Sequence, residues 1–307
     1  MRGLITTRTA PAIFVLLWST GFTGIRYGIP YAPPFTFIAI RMAIASVLLA
    51  LISLAITRHF RYDRATIGKS VLVGLTIHGA YLGGCFYGVK QGMPAGITAL
   101  ICSLQPVLVS IFSSVFFSEK LSLRKWLGLG LGLAGLVMVI APKLEGSGDQ
   151  VLPIAGVIAV FIALLGGTSG TLLQKKFGSG VEVLSGTSWQ YVATGILMGS
   201  LALIFEEDQS ITWNASFIFS LTWLIVALSI GAILILYFLL ARSSASSVSS
   251  LYYLVPAVTA VEAYFLFGEK IGLITALGTL VTIAGVALVV RQGRAREVTN
   301  LSGARSP

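Results

Sequence analysis

Three side chains of this sequence stand where an ionisable group is costly. Arg41, His78 and Glu262 each fall inside a long apolar run. A charge at the centre of a lipid-spanning helix costs about 3 kcal/mol on insertion scales, so such a residue is a functional candidate by default. Glu262 could couple a proton or bind substrate. Arg41 lies at a comparable distance from the end of its own run. The two could therefore form an ion pair that locks packing, or take part in coupling or substrate binding. His78, in GLTIHGAYLGG, can titrate, bind a ligand, or donate to a helix carbonyl and serve packing alone. Tyr81, three residues further on, is expected on the same helical face.

Other groups suit a small amphiphile. Trp18, Ser19 and Thr23 lie in the first apolar run, Gln105 stands beside Pro106, and Tyr252 and Tyr253 precede Pro256. Aromatic walls with a few polar groups make a small-molecule pocket. Equally, Trp and Tyr mark membrane interfaces, and Ser or Thr bonds back to its own helix. Pro106 and Pro256 are both in mid-run, where proline removes a backbone hydrogen bond. They are static kinks or paired hinges. The hydroxyl-rich stretch SSASSVSS at 243–250 caps a helix or lines a vestibule.

The elements that must position these groups follow from composition. The 307 residues are 56% hydrophobic and 10% charged, against roughly 25% charged in soluble domains. Lipid is therefore the expected partner. The net charge of +10 would suit nucleic acid, but the basic residues lie in short gaps between apolar runs, so no nucleic-acid partner is expected. Ten runs reach the length of about 20 residues that a spanning helix needs: 11–29, 35–56, 70–89, 95–117, 121–141, 152–173, 183–205, 215–240, 246–267 and 271–291. The first follows Arg2 and Arg8 but is too long for a signal-peptide core, and reads as an uncleaved helix. Of the 21 Lys and Arg, only Arg26, Lys90, Lys143 and Lys270 fall in loops opposite the N-terminus, and Arg41 is inside a helix. The positive-inside rule then puts both termini in the cytoplasm.

Enzymatic chemistry has little support. HExxH, CxxC and GxxxxGK[ST] are absent, and GGTSG around Ser169 lacks the spacing of a nucleophile elbow. Cys85 and Cys102 lie inside apolar runs and read as small core residues, not metal ligands. Neither catalytic residues nor a metal or cofactor is expected.

The chain is duplicated. Shifted by 150 residues without a gap, 95–140 falls on 245–290, and Pro106, Phe117, Glu119, Lys120, Gly128 and Gly135 meet Pro256, Phe267, Glu269, Lys270, Gly278 and Gly285. Apolar runs match by chance at Leu and Val, but not also at proline, a Glu-Lys pair and glycines. Gly128, Gly132 and Gly135 against Gly278, Thr282 and Gly285 make smooth faces for helix packing, within the molecule or in a homodimer. Five helices per unit is an odd number, so the second unit must cross the membrane in the opposite sense, as in transporters with inverted repeats.

The residues LLWSTGFTGIRYGI, IRMAIASVLLA and the repeated SEK/GEK and AG stretches resemble the EamA-type permeases of the drug/metabolite transporter superfamily, over essentially all of 11–291. The resemblance implies ten helices and export of amino acids or other small metabolites, often driven by ion gradients. The expectation is an all-α polytopic membrane protein of two inverted five-helix repeats, 11–141 and 152–291, with a disordered cytoplasmic tail at 292–307. It would be a bacterial inner-membrane exporter of a small molecule, working by alternating access with bending at Pro106 and Pro256. The competing readings are uptake or exchange of another organic solute, and an intramembrane enzyme or sensor.

Overall fold

The structure, a computed structural model, describes residues 9–58, 60, 62–116, 123–144, 152–178, 180–240, 250–269, 272–285 and 287–288. Glu119, Lys120, Lys270, most of the serine-rich stretch (243–249) and the tail from 292 lie outside the described residues. Every regular element described is helical. The elements are α1 (Ala10–Gly28), α2 (Pro34–Ile56), α3 (Arg64–Lys90), α4 (Ala95–Cys102), α5 (Gln105–Phe116), α6 (Leu123–Leu144), α7 (Ile154–Phe177), α8 (Val183–Phe205), α9 (Ala215–Leu240), α10 (Val255–Phe267) and α11 (Leu273–Gly285).

Six helical stretches among the described residues are long and apolar enough to cross a membrane: Ala10–Tyr31, Pro34–Ile56, Arg64–Lys90, Ile154–Gln174, Val183–Phe205 and Ala215–Leu236. Four further apolar stretches are shorter. The chain is thus a polytopic all-helical membrane protein. Its third span begins earlier than the apolar run, at Arg64, because Asp63 caps it by accepting from Thr66 N–H at 3.3 Å. α2 packs along α8, α3 lies between α7 and α8, and α1 lies between α9 and α10. α4 rests on α10, and α5 rests on α7.

The expected fourth span is broken, not bent. α4 stops at Cys102, a turn occupies Ser103 and Leu104, and α5 starts with Gln105-Pro106. A 3-10 turn, Ser250–Tyr253, likewise precedes α10, which starts with Val255-Pro256. Proline in a first turn has no intrahelical N–H bond to lose, so each one begins a new helix at little cost. Two other helices are loosened. α3 contains a π-helical segment, Leu75–Ala80, and α9 contains another, Leu224–Ala232. Such wide turns concentrate at functional sites.

Acidic side chains close several helix starts. Glu206 accepts from Phe35 N–H (2.6 Å) and Thr36 N–H (3.0 Å) at the start of α2. Glu182 accepts from Leu184 N–H (2.9 Å) and Ser185 N–H (2.8 Å) at the start of α8, and from the Ser53 hydroxyl of α2 (3.1 Å). Glu269 accepts from Ala95 N–H (3.2 Å) at the start of α4. Gly268 makes this reach possible, because its φ of +64° turns the chain sharply after α10.

α6 and α11 cross closely at their glycines, where the Thr282 hydroxyl also stands 2.5 Å from a Cβ placed on Gly135. A Cβ on Gly135 would stand 2.5 Å from Gly278 O and 2.6 Å from Thr282 N, and one on Gly285 would stand 2.6 Å from Gly128 O and against Gly132 N. Both obstacles are backbone, which cannot step aside. Gly135→Val is therefore expected to cost about 3 kcal/mol, the upper end of overpacking effects, read as a lowered midpoint of thermal unfolding in detergent. A second outcome concerns Glu182. Partial burial pushes its carboxyl up, but the N–H groups of Ser185 and Leu184 and the hydroxyls of Ser185 and Ser53 outweigh this and hold it below its ordinary value. A depressed carboxylate stabilises the fold above its unfolded pKa and ceases to do so as pH falls through its folded one. Glu182→Ala is expected to cost about 1 kcal/mol at neutral pH, with the gap between variant and wild type closing below about pH 4.

Candidate functional site

Two polar centres lie inside the bundle. The first joins α1 to α10. Glu262 accepts from the Ser19 hydroxyl at 2.7 Å and from the Thr23 hydroxyl at 3.2 Å. Ser19 and Thr23 are one turn apart, so both hydroxyls reach the same carboxylate. The Thr259 hydroxyl adds a long contact, 3.4 Å, to the Ser19 carbonyl. Glu262 itself is half-buried. Trp18 packs one residue away, against Phe14 (5.3 Å between ring centroids) and edge-on to Tyr252 (5.4 Å), and Phe14 also meets Tyr252 edge-on (5.5 Å). On the other flank the Trp223 indole N–H donates to the Thr20 hydroxyl at 3.0 Å, tying α1 to α9.

The second centre joins α2, α3, α7, α8 and α9. Arg41 is 6% exposed, and its Nε and Nη2 both donate to the Ser229 hydroxyl, at 3.2 and 3.1 Å. The Tyr191 hydroxyl donates to the Ser229 carbonyl at 3.2 Å. His78 stands edge-on to Tyr191, with ring centroids 4.7 Å apart, and its Nε2 is 3.2 Å from Gln190 Oε1. The Gln190 amide in turn donates to Gln174 Oε1 at 3.0 Å. His78 and Ser229 each sit in one of the two π-helical segments.

The expected pairing of Arg41 with Glu262 does not form. Each has its own neutral partners, and among the described residues the one ion pair is Arg26 with Glu269, at 4.0 Å. Glu262 is turned to the hydroxyls of α1 and Arg41 to Ser229 of α9. The expected shared face of His78 and Tyr81 also fails. The π-helical segment ends at Ala80 and changes the phase between them, so His78 meets α8 while Tyr81 stands beside Gly167 of α7 and near Tyr252. A Cβ on Gly167 would come within 2.9 Å of the Tyr81 ring and 2.7 Å of Gln105 Oε1.

Gln105 donates to Gly167 O at 3.2 Å and to the Thr171 hydroxyl at 2.9 Å, so its amide ties the start of α5 to α7. Tyr253 lies in the 3-10 turn before α10. Trp18, Ser19, Thr23, Tyr252 and Glu262 are thus brought together, and Arg41 and His78 are brought together through Tyr191 and Ser229. Sequence reasoning missed Tyr191, Gln190, Ser229 and the contact of Glu269 with Arg26. Tyr191 had a signal, since the 150-residue register carries Arg41 onto it. Ser229 had none, being one small hydroxyl in an apolar run.

Known proteins agree with this architecture. The model of the EamA-like transporter family matches residues 10–141 and again 154–291. "Uncharacterized transporter YvbV" of Bacillus subtilis is 28% identical, over 97% of this chain and 96% of its own. A "Probable amino-acid metabolite efflux pump" of Salmonella typhimurium is 26% identical over 95% and 97% of the two chains, and one of Escherichia coli is 25% identical over 91% and 92%. One crystal structure superposes with a TM-score of 0.65 over 95% of this chain and 98% of its own, at 18% identity, so the likeness is one of fold.

Separate partners make a quantitative expectation. Arg41→Gln and Glu262→Gln should lower stability independently, with their effects adding to within about 0.5 kcal/mol in a double-mutant cycle. The measurement is thermal unfolding of the four purified proteins. A coupling above about 1 kcal/mol would show that the two charges interact directly.

Proposed function

Since the chain belongs to the EamA-like transporter family, and is a membrane transporter and not an enzyme, we propose that it exports amino acids or related small amphipathic metabolites by alternating access. The observation that carries this reading is the Glu262 centre, a carboxylate inside the bundle that among the described residues accepts from two hydroxyls, with an aromatic trio beside it. A carboxylate so placed can exchange a proton for the ammonium group of a substrate. Trp18, Tyr252 and Phe14 suit the apolar part of an amphiphile. Relatives named as probable amino-acid metabolite efflux pumps match nearly the whole chain, which favours that substrate class and the outward direction.

The proposed frame is ten helices in two inverted five-helix repeats, 11–141 and 152–291, in the inner membrane of a bacterium, with both termini cytoplasmic. The four shorter apolar stretches complete the count when the broken fourth and ninth spans are taken as single crossings. The repeat is supported by contacts that come in exchanged pairs. Tyr27 meets Phe219, and at 150 residues' distance in opposite directions Phe177 meets Lys69. Gly135 meets Gly278, and Gly285 meets Gly128. The π-helical segment with His78 corresponds in the same register to the one with Ser229. Such exchange is what a two-fold axis in the membrane plane produces.

In this mechanism the breaks before Pro106 and Pro256 act as hinges, because a few residues at the ends of elements can absorb the backbone rotation while the helices on either side stay whole. The contact of Arg26 with Glu269, which also holds the start of α4 at Ala95, closes one end of the bundle. Purified protein in liposomes, offered a panel of amino acids and amphiphilic amines, is expected to show flux that a proton gradient drives. Glu262→Gln should keep the fold and reduce gradient-driven flux at least about ten-fold, within the range of single general acid–base groups. Absence of flux for every class, or equal gradient dependence in the variant, would overturn the reading.

A further inference from the structure

We propose that Arg41 is the receptor for a substrate carboxylate, so that the transported class is defined by an anionic carboxyl group and not by an amine alone. This rests on the reading of the bundle as a transporter of amino-acid-like solutes, and adds the group by which they are chosen.

Three observations carry it. First, the guanidinium is always charged, it is 6% exposed, and among the described residues no carboxylate pairs with it. Ser229 accepts from it, and Tyr191 and His78 stand near it, none of them carrying a negative charge. Among the described residues the one ion pair lies elsewhere, between Arg26 and Glu269. A buried cation of this kind is stable only with a counter-ion or an exceptional set of hydrogen bonds.

Second, its hydrogen bonding is incomplete. Nε and Nη2 form the fork that matches the two oxygens of a carboxylate, yet both point at a single hydroxyl oxygen, Ser229 Oγ, at 3.2 and 3.1 Å. A carboxylate would give each nitrogen its own acceptor, and the Ser229 hydroxyl could then donate to the same anion. Ser229 belongs to the π-helical segment Leu224–Ala232, whose wide turn allows that small rearrangement.

Third, Arg41 is not part of the duplicated frame. The 150-residue register carries it onto Tyr191, a neutral residue. A charge needed only to hold α2 against α9 would be replaceable by the solution the other repeat already uses. α9 packs on α1 as well as on α2, so the helix that holds Ser229 also borders the Glu262 centre.

The test is ligand-dependent thermal stabilisation of the purified full chain, with flux in liposomes alongside. The probes are L-phenylalanine, 3-phenylpropionate (carboxylate alone), phenethylamine (ammonium alone), L-phenylalanine methyl ester and sodium chloride. Wild-type protein is expected to bind phenylalanine and 3-phenylpropionate, and to bind the ester about ten- to hundred-fold more weakly, the range for losing hydrogen bonds to a charged group. Arg41→Gln should weaken both carboxylates by the same factor and leave phenethylamine within about two-fold. A merely structural Arg41 would affect all ligands alike or none. If Arg41→Gln does not fold, the wild-type comparison of phenylalanine with its methyl ester decides, and equal binding overturns the proposal. A response to chloride without one to 3-phenylpropionate also overturns it. If nothing is transported but 3-phenylpropionate still stabilises wild type and not the variant, the anion site stands and the transport reading fails.

Discussion

A polar group placed in hydrocarbon must find its partner within the protein, and most of this structure follows from that constraint. Helix starts are the exposed points, since their first N–H groups lack intrahelical acceptors. The chain answers with carboxylates: Glu206 and Glu269 come from distant segments to α2 and α4, and Glu182 caps its own α8 while reaching Ser53 of α2. Each such contact does two things. It satisfies donors at the membrane boundary, and it ties that helix to a distant segment. The Ser53 hydroxyl of α2 on Glu182, and Arg26 of α1 beside Glu269, extend the same ties sideways.

Within the bundle the same constraint explains where helices break. At α4–α5 and before α10 the proline opens a new helix after a turn, so the interruption is absorbed where an N–H is not needed. The Gln105 amide reinforces the first break by bonding Gly167 and Thr171 of α7, which stand close because Gly167 carries no side chain. Close helix approach, a broken span and a satisfied amide therefore meet at one place.

Hydropathy made the apolar runs, the polytopic class and the 150-residue duplication legible, because burial in lipid demands unbroken apolar length and a repeat preserves its special residues. It did not expose the π-helical segments at His78 and Ser229, since a change of hydrogen-bond register leaves no trace in residue polarity. The same blindness put His78 and Tyr81 on one face. Pairing Arg41 with Glu262 failed for a related reason. Distance from a helix end gives height in the membrane but not direction around the bundle. The Glu-Lys turn was read as a mark of symmetry, but Glu269 also closes the start of α4, a role visible only once Gly268 turns the chain back.

The duplication and the ionisable groups inside the bundle follow opposite rules. What repeats is framework: the glycine crossing, the prolines that open helices and the π-helical turns. What does not repeat is the ionisable side chains of the two polar centres, for Glu262 stands opposite Phe112, Arg41 opposite Tyr191 and His78 opposite Leu228 in the shared register. The two charged side chains among them each have neutral partners, and among the described residues neither takes part in an ion pair, so the groups that distinguish the two halves are also the ones whose charge is left unanswered.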